Sequence, residues 1–238
     1  MNFFLYTCQR VLLTTLISTA LVGVCLAESP VYLNTTEGTQ RLVNADLNKP
    51  YFLVAPYVDT QENMGFCGPA SIAAILNSLP EVPRPPATQY KPYAYFTQDS
   101  LFNSVTNQVK PYDVVAHNGL TLAEATKFID AHGVAQHLYY GTDLSLDQLR
   151  TLIKTTLLDQ HSRVIADFDR RVLGQEGSGH YSPVVAYDST SDSILIADVA
   201  KFKYPPFWVS LPVFLASMQT IDPDSGKSRG LIVVSTLR

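Results

Sequence analysis

The spacing of hydrophobic residues changes near residue 160 of this 238-residue chain, and the change restricts the folds open to it. Before that point, apolar side chains recur at helical spacing in three segments, Pro69–Leu79, Thr121–Ala131 and Leu146–Leu158. After it, runs rich in Val, Ile and Tyr predict four strands, Arg163–Phe168, His180–Tyr187, Ser193–Val199 and Leu231–Thr236. Helices followed by antiparallel strands indicate the α+β class.

An apolar segment opens the sequence. Arg10 is the only charged residue among the first 27, Val11 to Leu26 is apolar apart from Ser and Thr, and Cys25-Leu26-Ala27 carries small residues at the positions of a cleavage site. These features predict a secretory signal peptide at residues 1–27, a single domain at residues 28–238, and an exported, periplasmic protein. Two alternatives stay open, a lipid attached to Cys25 and an uncleaved membrane anchor.

Loss of that segment would change both the charge and the cysteine content. It would remove one of the 17 basic residues and none of the 21 acidic ones, leaving a net charge of 16 minus 21, or −5, which does not suggest nucleic-acid binding. Cys8 and Cys25 would leave with it, so Cys67 could form no internal disulfide. Cys67 is then either a reactive thiol or a small buried hydrophobic residue.

The position of Cys67 favours the reactive thiol. It comes just before the predicted helix Pro69–Leu79, in which proline is tolerated in the first turn. Unpaired backbone N–H groups and the positive end of the helix dipole stabilise a thiolate there. We therefore expect Cys67 to be a nucleophile with a lowered pKa.

Two later residues could activate this thiol. The polar run Asp188–Asp192 predicts a hairpin turn that brings Asp198 close to His180. A cysteine nucleophile needs an imidazole to take its proton and a carboxylate to orient the imidazole, and His180 and Asp198 fit those roles. Gln61 could donate its amide N–H to the developing oxyanion. Taken singly, each has a structural alternative: a loop histidine, a strand-end cap and a solvated glutamine.

Three longer blocks carry a family resemblance. They are Phe66–Ser71, Leu173–Pro183 and Asp198–Val209, and together they resemble the catalytic domain of phytochelatin synthases over roughly Tyr51 to Ser235. The resemblance implies a papain-like cysteine-protease fold, with a helical lobe and an antiparallel sheet lobe across a cleft.

The resemblance also implies the site residues. Cys67, His180 and Asp198 take the positions of the family's triad, and Gln61 takes that of its oxyanion donor. Residues Gly179, Asp222 and Arg229 fall in the donor site, where a carboxylate and a guanidinium would hold the free α-amino and α-carboxylate groups of a γ-glutamyl head.

The family's reaction is acyl transfer from glutathione. A γ-glutamylcysteinyl thioester forms on the cysteine, glycine leaves, and either a second glutathione, another γ-glutamyl peptide or water accepts the acyl group. No cofactor is required, and cadmium or zinc would arrive as a glutathione thiolate. His132 and His137 have no carboxylate or thiol beside them, so no metal site is predicted. A homodimer stays open.

The chain also departs from plant members of the family. The sequence ends at Arg238 without a Cys-rich extension, from which we expect hydrolysis to γ-glutamylcysteine to exceed peptide synthesis. Two other functional classes are kept as alternatives, another papain-like peptidase and an exported, non-catalytic protein that binds thiol peptides or metal thiolates.

Overall fold

The computed structural model describes residues 29–236, and the segment expected to be a signal peptide lies outside them. Within that range the chain forms eight α-helices: α1 (Thr36–Asn44), α2 (Lys49–Val54), α3 (Cys67–Ser78), α4 (Thr106–Val109), α5 (Tyr112–Asn118), α6 (Leu122–Asp130), α7 (Leu146–Leu158) and α8 (Leu211–Met218). The same range forms seven strands: β1 (Val31–Tyr32), β2 (Ala135–Tyr140), β3 (Ser162–Asp169), β4 (Gly179–Asp188), β5 (Ser193–Ile196), β6 (Phe207–Ser210) and β7 (Gly230–Ser235).

The strands of this described range form one sheet in the order β1-β6-β5-β4-β3-β7-β2, and every neighbouring pair is antiparallel. Helices cover both of its faces. One apolar core lies between the sheet and α1, α3 and α6, and a second lies between the sheet and α7 and α8. The two cores account for the buried patterns of β3 and β5, because a strand covered on both faces needs no polar face.

The α+β class expected from the sequence is confirmed, as are the three predicted helices and four predicted strands, with ends shifted by up to three residues. The spacing of hydrophobic residues did not predict β2 and β6. Strand β2 is the half-exposed edge strand Ala-Gln-His-Leu-Tyr-Tyr, which has no clear alternation, and β6 follows directly on Pro205 and Pro206. Helix α8 was missed because it is almost entirely apolar and therefore shows little periodicity.

Helix α3 carries the cysteine into the middle of the protein. Its first residue is Cys67, and the residues from Cys67 to Asn77 are buried, because the helix packs against the sheet, α2 and α6 together. Pro69 occupies the first turn, where a missing N–H costs no helical hydrogen bond. The Ser71 hydroxyl donates to the Cys67 carbonyl over 2.7 Å. The predicted position of Cys67 at a helix N-terminus is thus confirmed.

Within residues 29–236, no helix combines the length and the apolar character needed to cross a bilayer.

Candidate active site

The predicted pairing of His180 with Asp198 is confirmed. Strands β4 and β5 form the expected hairpin, and Asp198 lies two residues beyond the end of β5. The His180 Nε2 atom is 2.9 Å from Asp198 Oδ1 and 3.0 Å from the Ser182 hydroxyl oxygen. Because Nε2 faces the carboxylate, Nδ1 is the ring nitrogen left to act on a substrate or a thiol.

Arg170 holds the Asp198 carboxylate from its other side. Its Nη2 atom donates to both carboxylate oxygens, over 2.9 and 2.7 Å, and its Nη1 atom donates to Gln175 over 2.7 Å. The guanidinium also lies 5.0 Å from the centre of the Tyr204 ring. Arg170 is buried and was missed by sequence reasoning, because arginines are mostly exposed and its burial follows from its pairing with Asp198.

Burial and charge set the protonation of this pair. Burial acts to raise the pKa of Asp198, but the hydrogen bond from His180 and the charge of Arg170 outweigh it and leave that pKa below its ordinary value. Burial lowers the pKa of His180 despite the neighbouring carboxylate. At neutral pH the pair is therefore an ionised Asp198 beside a neutral imidazole, which is the form that can accept a proton.

Cys67 lies against the same strand as His180. Helix α3, which begins at Cys67, packs against β4, and the backbone N–H groups of Tyr181, the residue after His180, and of Gly68 lower the pKa of the Cys67 thiol. Cys67 and His180 thus lie on two elements that pack against each other. Cys67 is 9% exposed, and it forms no disulfide.

The thiolate expected from the helix terminus is wrong for the unliganded protein. Burial raises the pKa of Cys67 to about 11, and Asp167 raises it as well, whereas the two backbone N–H groups and Arg170 lower it. Desolvation of the buried Cys67 thiol thus raises its pKa by more than the helix N-terminus lowers it. Cys67 is therefore a protonated thiol at neutral pH.

Gln61 is buried near the start of α3. Its backbone N–H donates to the Val199 carbonyl over 2.9 Å, and its side-chain Nε2 donates to the Asn63 carbonyl over 2.7 Å. Its Oε1 atom has no hydrogen-bond partner among the described residues. The amide is thus engaged with Asn63, and its role as oxyanion donor stays a prediction.

A cleft of about 400 Å³ opens beside Cys67. The end of α5 and the two residues after it, His117 to Leu120, line one side of it. The residues of its lining that bear on chemistry are Cys67, Asp167, Gly179, Tyr181, Asp222 and Arg229. The three residues expected in a donor site therefore share one cleft with the cysteine, whereas His180 is not part of its wall.

The donor-site candidates also contact one another. Arg229 Nη1 lies 3.8 Å from Asp222 Oδ1. A Cβ atom on Gly179 would stand 2.8 Å from Arg229 Nη2, so the missing side chain at position 179 makes room for the guanidinium.

Asp167 is a cleft residue that sequence reasoning missed. It lies in β3, pairs with Tyr181 of β4 on one side and with Gly230 of β7 on the other, and is buried. Burial raises the pKa of its carboxyl to about 7, although Arg229 lowers it. The available signal was an aspartate within an otherwise apolar strand, since buried carboxylates are rare outside functional or paired positions.

The profile of the phytochelatin synthase family matches residues 23–231. This chain belongs to the phytochelatin synthase family. The match covers the Cys67 helix, the His180–Asp198 hairpin and the cleft between them, so the family assignment and the site geometry concern the same part of the chain.

Similar proteins come from plants and fission yeast. Over 186 residues the chain is 30% identical to glutathione gamma-glutamylcysteinyltransferase 2 of Arabidopsis thaliana, covering 78% of this chain and 39% of that protein. Over 188 residues it is 31% identical to the glutathione gamma-glutamylcysteinyltransferase of Schizosaccharomyces pombe, covering 79% of this chain and 44% of that protein. The chain thus spans about two fifths of the length of these phytochelatin synthase relatives.

For a resident metal, residues 29–236 offer no group of three or more His, Cys, Asp or Glu side chains placed to hold an ion.

Proposed function

We propose that this phytochelatin synthase family member transfers the γ-glutamylcysteinyl group of glutathione through a thioester on Cys67, with release of glycine. One observation carries the proposal. A buried cysteine at a helix N-terminus lines a cleft together with a guanidinium and carboxylates, and its helix packs against the strand that carries a histidine oriented by an aspartate. The relatives are named as glutathione gamma-glutamylcysteinyltransferases, which supports the same reaction.

The first half-reaction forms the acyl-enzyme. The Cys67 thiol gives its proton to His180 Nδ1 as its sulfur attacks the carbonyl carbon of the Cys–Gly peptide bond. The carbonyl electrons move onto oxygen, and Gln61 serves as a donor to that oxyanion once its amide leaves the Asn63 carbonyl. The carbon–nitrogen bond then breaks, and the imidazolium returns the proton to the amine of the departing glycine.

The second half-reaction releases the acyl group. His180 takes a proton from water or from the α-amine of a second glutathione as either attacks the thioester carbonyl. The carbon–sulfur bond breaks, and Cys67 recovers its proton. Water gives γ-glutamylcysteine, and glutathione gives the peptide with two γ-glutamylcysteinyl units, so the partition depends on how well the acceptor is positioned.

Asp198 and Arg170 position the His180 imidazole and take no direct part in the proton transfers. The carboxylate holds Nε2 and stabilises the imidazolium that forms transiently, while Arg170 keeps the carboxylate ionised and fixed in a buried setting. The raised pKa of Cys67 makes this base necessary, because the thiol does not ionise unaided at neutral pH.

Arg229 and Asp222 bind the γ-glutamyl head in this proposal, and Gly179 leaves space for the guanidinium. A planar guanidinium fork matches an α-carboxylate, and a carboxylate matches an α-ammonium. The arrangement of α3 packed against a sheet that carries His180 supports a papain-like fold.

Three further assignments belong to the same proposal. Export to the periplasm is supported by the apolar N-terminal sequence. No cofactor is required in the proposed steps, because each of them moves protons and an acyl group between the residues named above. Cadmium or zinc enters as a thiolate of the substrate, since a metal-bound glutathione is still a γ-glutamyl donor.

The testing experiment measures glycine release from glutathione by the full chain, with and without cadmium, and weighs the peptide products. We expect γ-glutamylcysteine, the longer peptide, or both, and no glycine release by Cys67→Ser. Cysteinylglycine, which lacks the γ-glutamyl head, serves as the control substrate. Cleavage of cysteinylglycine as efficient as that of glutathione would instead make the protein a general peptidase.

A further inference from the structure

Two buried polar atoms in the cleft lack partners. The Tyr181 hydroxyl and the Arg229 Nε atom have no hydrogen-bond partner within residues 29–236, although both side chains are only 4% exposed. The hydroxyl is near enough to Asp167 to lower the pKa of that carboxyl, but the contact falls short of normal hydrogen-bond geometry. Buried polar groups left unpaired in a cleft cost free energy unless a ligand satisfies them.

Asp167 lies on β3, between β4, which carries Tyr181, and β7, which Arg229 directly precedes. It is the register partner of Tyr181 on β4 and of Gly230 on β7, and Arg229 directly precedes Gly230. Since side chains alternate along a strand, Asp167 shares its face with Ile165, which belongs to the core beneath α3. Its carboxylate therefore points to the side of the sheet on which Cys67 lies.

The charges that line this cleft do not balance. Three carboxylates, Asp167, Asp222 and Asp224, meet two guanidinium groups, Arg171 and Arg229. Arg171 is already bonded to Asp169 over 2.6 Å. Among these lining groups, Arg229 is thus left to face the carboxylates, which makes the cleft suited to a ligand that brings a cation as well as an anion.

Asp222 can supply only part of that cation site. Its two carboxylate oxygens accept hydrogen bonds from the backbone N–H groups of Asp224 and Ser225, over 3.3 and 3.2 Å, which shape their own loop. Asp167 makes no comparable bond to the backbone in the described chain. Its carboxylate, in the central strand β3, is therefore the one free to pair with a ligand.

We propose that Asp167 is a specificity-determining residue that binds the α-ammonium group of the γ-glutamyl donor, next to Asp222. Arg229 Nε and the Tyr181 hydroxyl then donate to the α-carboxylate of the same head group. This inference rests on the proposed function and deepens it, because it makes donor use depend on a free α-amine. It also explains why a carboxylate is kept in a dry position where its charge is costly.

If Asp167 binds the donor's ammonium group, KM for glutathione should depend on pH. The groups that face Asp167 are Arg229, Asp222, Asp169, Tyr181 and Cys67, and of these only Arg229 is a cation. The free cleft holds the pKa of Asp167 at about 7. Below that pH the carboxyl is protonated and pairs poorly with an ammonium, so KM for glutathione should rise as the pH falls from 8 to 6.

The test compares two donors and two variants. The donors are glutathione and glutathione acetylated on its α-amine, and the variants are Asp167→Asn and Asp130→Asn. Asp130 is the control because it is exposed, at the end of α6, and is not among the residues that line the cleft. We expect Asp167→Asn to lower kcat/KM for glutathione by roughly 30-fold, mainly through KM, while leaving the acetylated donor unchanged. We expect Asp130→Asn to change kcat/KM for glutathione less than about threefold.

Each possible result either supports the inference, overturns it alone, or overturns the proposed function as well. A selective loss for glutathione in Asp167→Asn, together with a KM that no longer changes between pH 8 and 6, supports the inference. Equal losses for both donors, or no loss for either, overturn it while glycine release by the unchanged enzyme keeps the proposed function intact. Absence of glycine release by the unchanged enzyme overturns the proposed function itself and this inference with it.

Discussion

Gly179 lies directly beneath the guanidinium group of Arg229: a Cβ atom at position 179 would stand 2.8 Å from Nη2 and 2.9 Å from Cζ. The constraint is one of space, because the backbone there is not in the left-handed region. The same glycine precedes His180, so the residue that makes room for the Arg229 guanidinium also begins the strand that carries His180.

That relationship predicts the effect of Gly179→Ala. The added methyl group displaces Arg229 from the cleft, so kcat/KM for glutathione should fall by about 10- to 100-fold, mostly through KM. The alkylation rate of Cys67 should stay within about twofold, because the cysteine environment is untouched. Steady-state kinetics and a thiol-labelling time course measure the two effects. Ser178→Ala, a neighbouring change that adds no atom, is the control, and equal losses in both variants would contradict this role for Gly179.

Asp198→Asn should harm both stability and activity. It removes the carboxylate from a buried guanidinium, and breaking a buried ion pair typically costs about 3–5 kcal/mol. It also removes control of the His180 tautomer, so glycine release should fall strongly yet stay above that of Cys67→Ser. Thermal unfolding and glycine release check the two effects. The comparison is Asp147→Asn, in an exposed pair with Arg150, which should leave the Tm nearly unchanged because exposed ion pairs stabilise little. A Tm unchanged by Asp198→Asn would contradict a stabilising role for the buried ion pair between Arg170 and Asp198.

The buried thiol predicts slow alkylation of the unliganded enzyme. A pKa of about 11 leaves Cys67 protonated at pH 6, so its reaction with iodoacetamide should be slow there and should rise steadily with pH without levelling near neutrality. Peptide mapping by mass spectrometry assigns the label to Cys67. A plateau with a midpoint below about pH 8 would mean that the free enzyme already holds a thiolate.

Asp167→Asn should stabilise the fold above neutral pH. Because folding raises the pKa of Asp167 from 3.8 to about 7, the carboxyl favours the folded state below pH 3.8, and that contribution is lost as the pH rises through 7. The asparagine variant carries no such penalty, so its Tm should exceed that of the unchanged protein by several degrees at pH 8 and by little at pH 4. Differential scanning calorimetry at both values measures this. A lower Tm at pH 8 would show that the charged carboxylate is stabilising.

Local patterns were enough to predict much of the fold. The α3, α6 and α7 helices and the β4–β5 hairpin follow from periodicity, turn residues and capping, which act over a few residues. The pairing of His180 with Asp198 could be predicted because both lie on that hairpin. Edge strand β2 could not be predicted, since its partner β7 lies far along the chain and only tertiary packing selects it. Strand β6 pairs with the nearby β5, but it has only four residues and follows directly on two prolines.

Site chemistry was harder to predict than site position. The N-terminus of α3 does present N–H groups to Cys67, but the sequence cannot show how completely the cysteine is desolvated, and desolvation decides its pKa. Arg170 and Asp167 were missed for a related reason. Each is a charged residue in or next to an apolar strand, and its role becomes visible only when Asp198 or Arg229 is placed beside it.

The central claim is that Cys67 carries the γ-glutamylcysteinyl group, and the most direct measurement is the mass of the Cys67 peptide after a rapid acid quench of enzyme mixed with glutathione. The account predicts an added γ-glutamylcysteinyl mass that hydroxylamine removes, as a thioester requires, and that is absent from Cys67→Ser. A mixed disulfide would instead retain glycine and be removed by reductant. Glycine release accompanied by an unmodified Cys67 peptide, or by glutathionylation alone, would contradict the account.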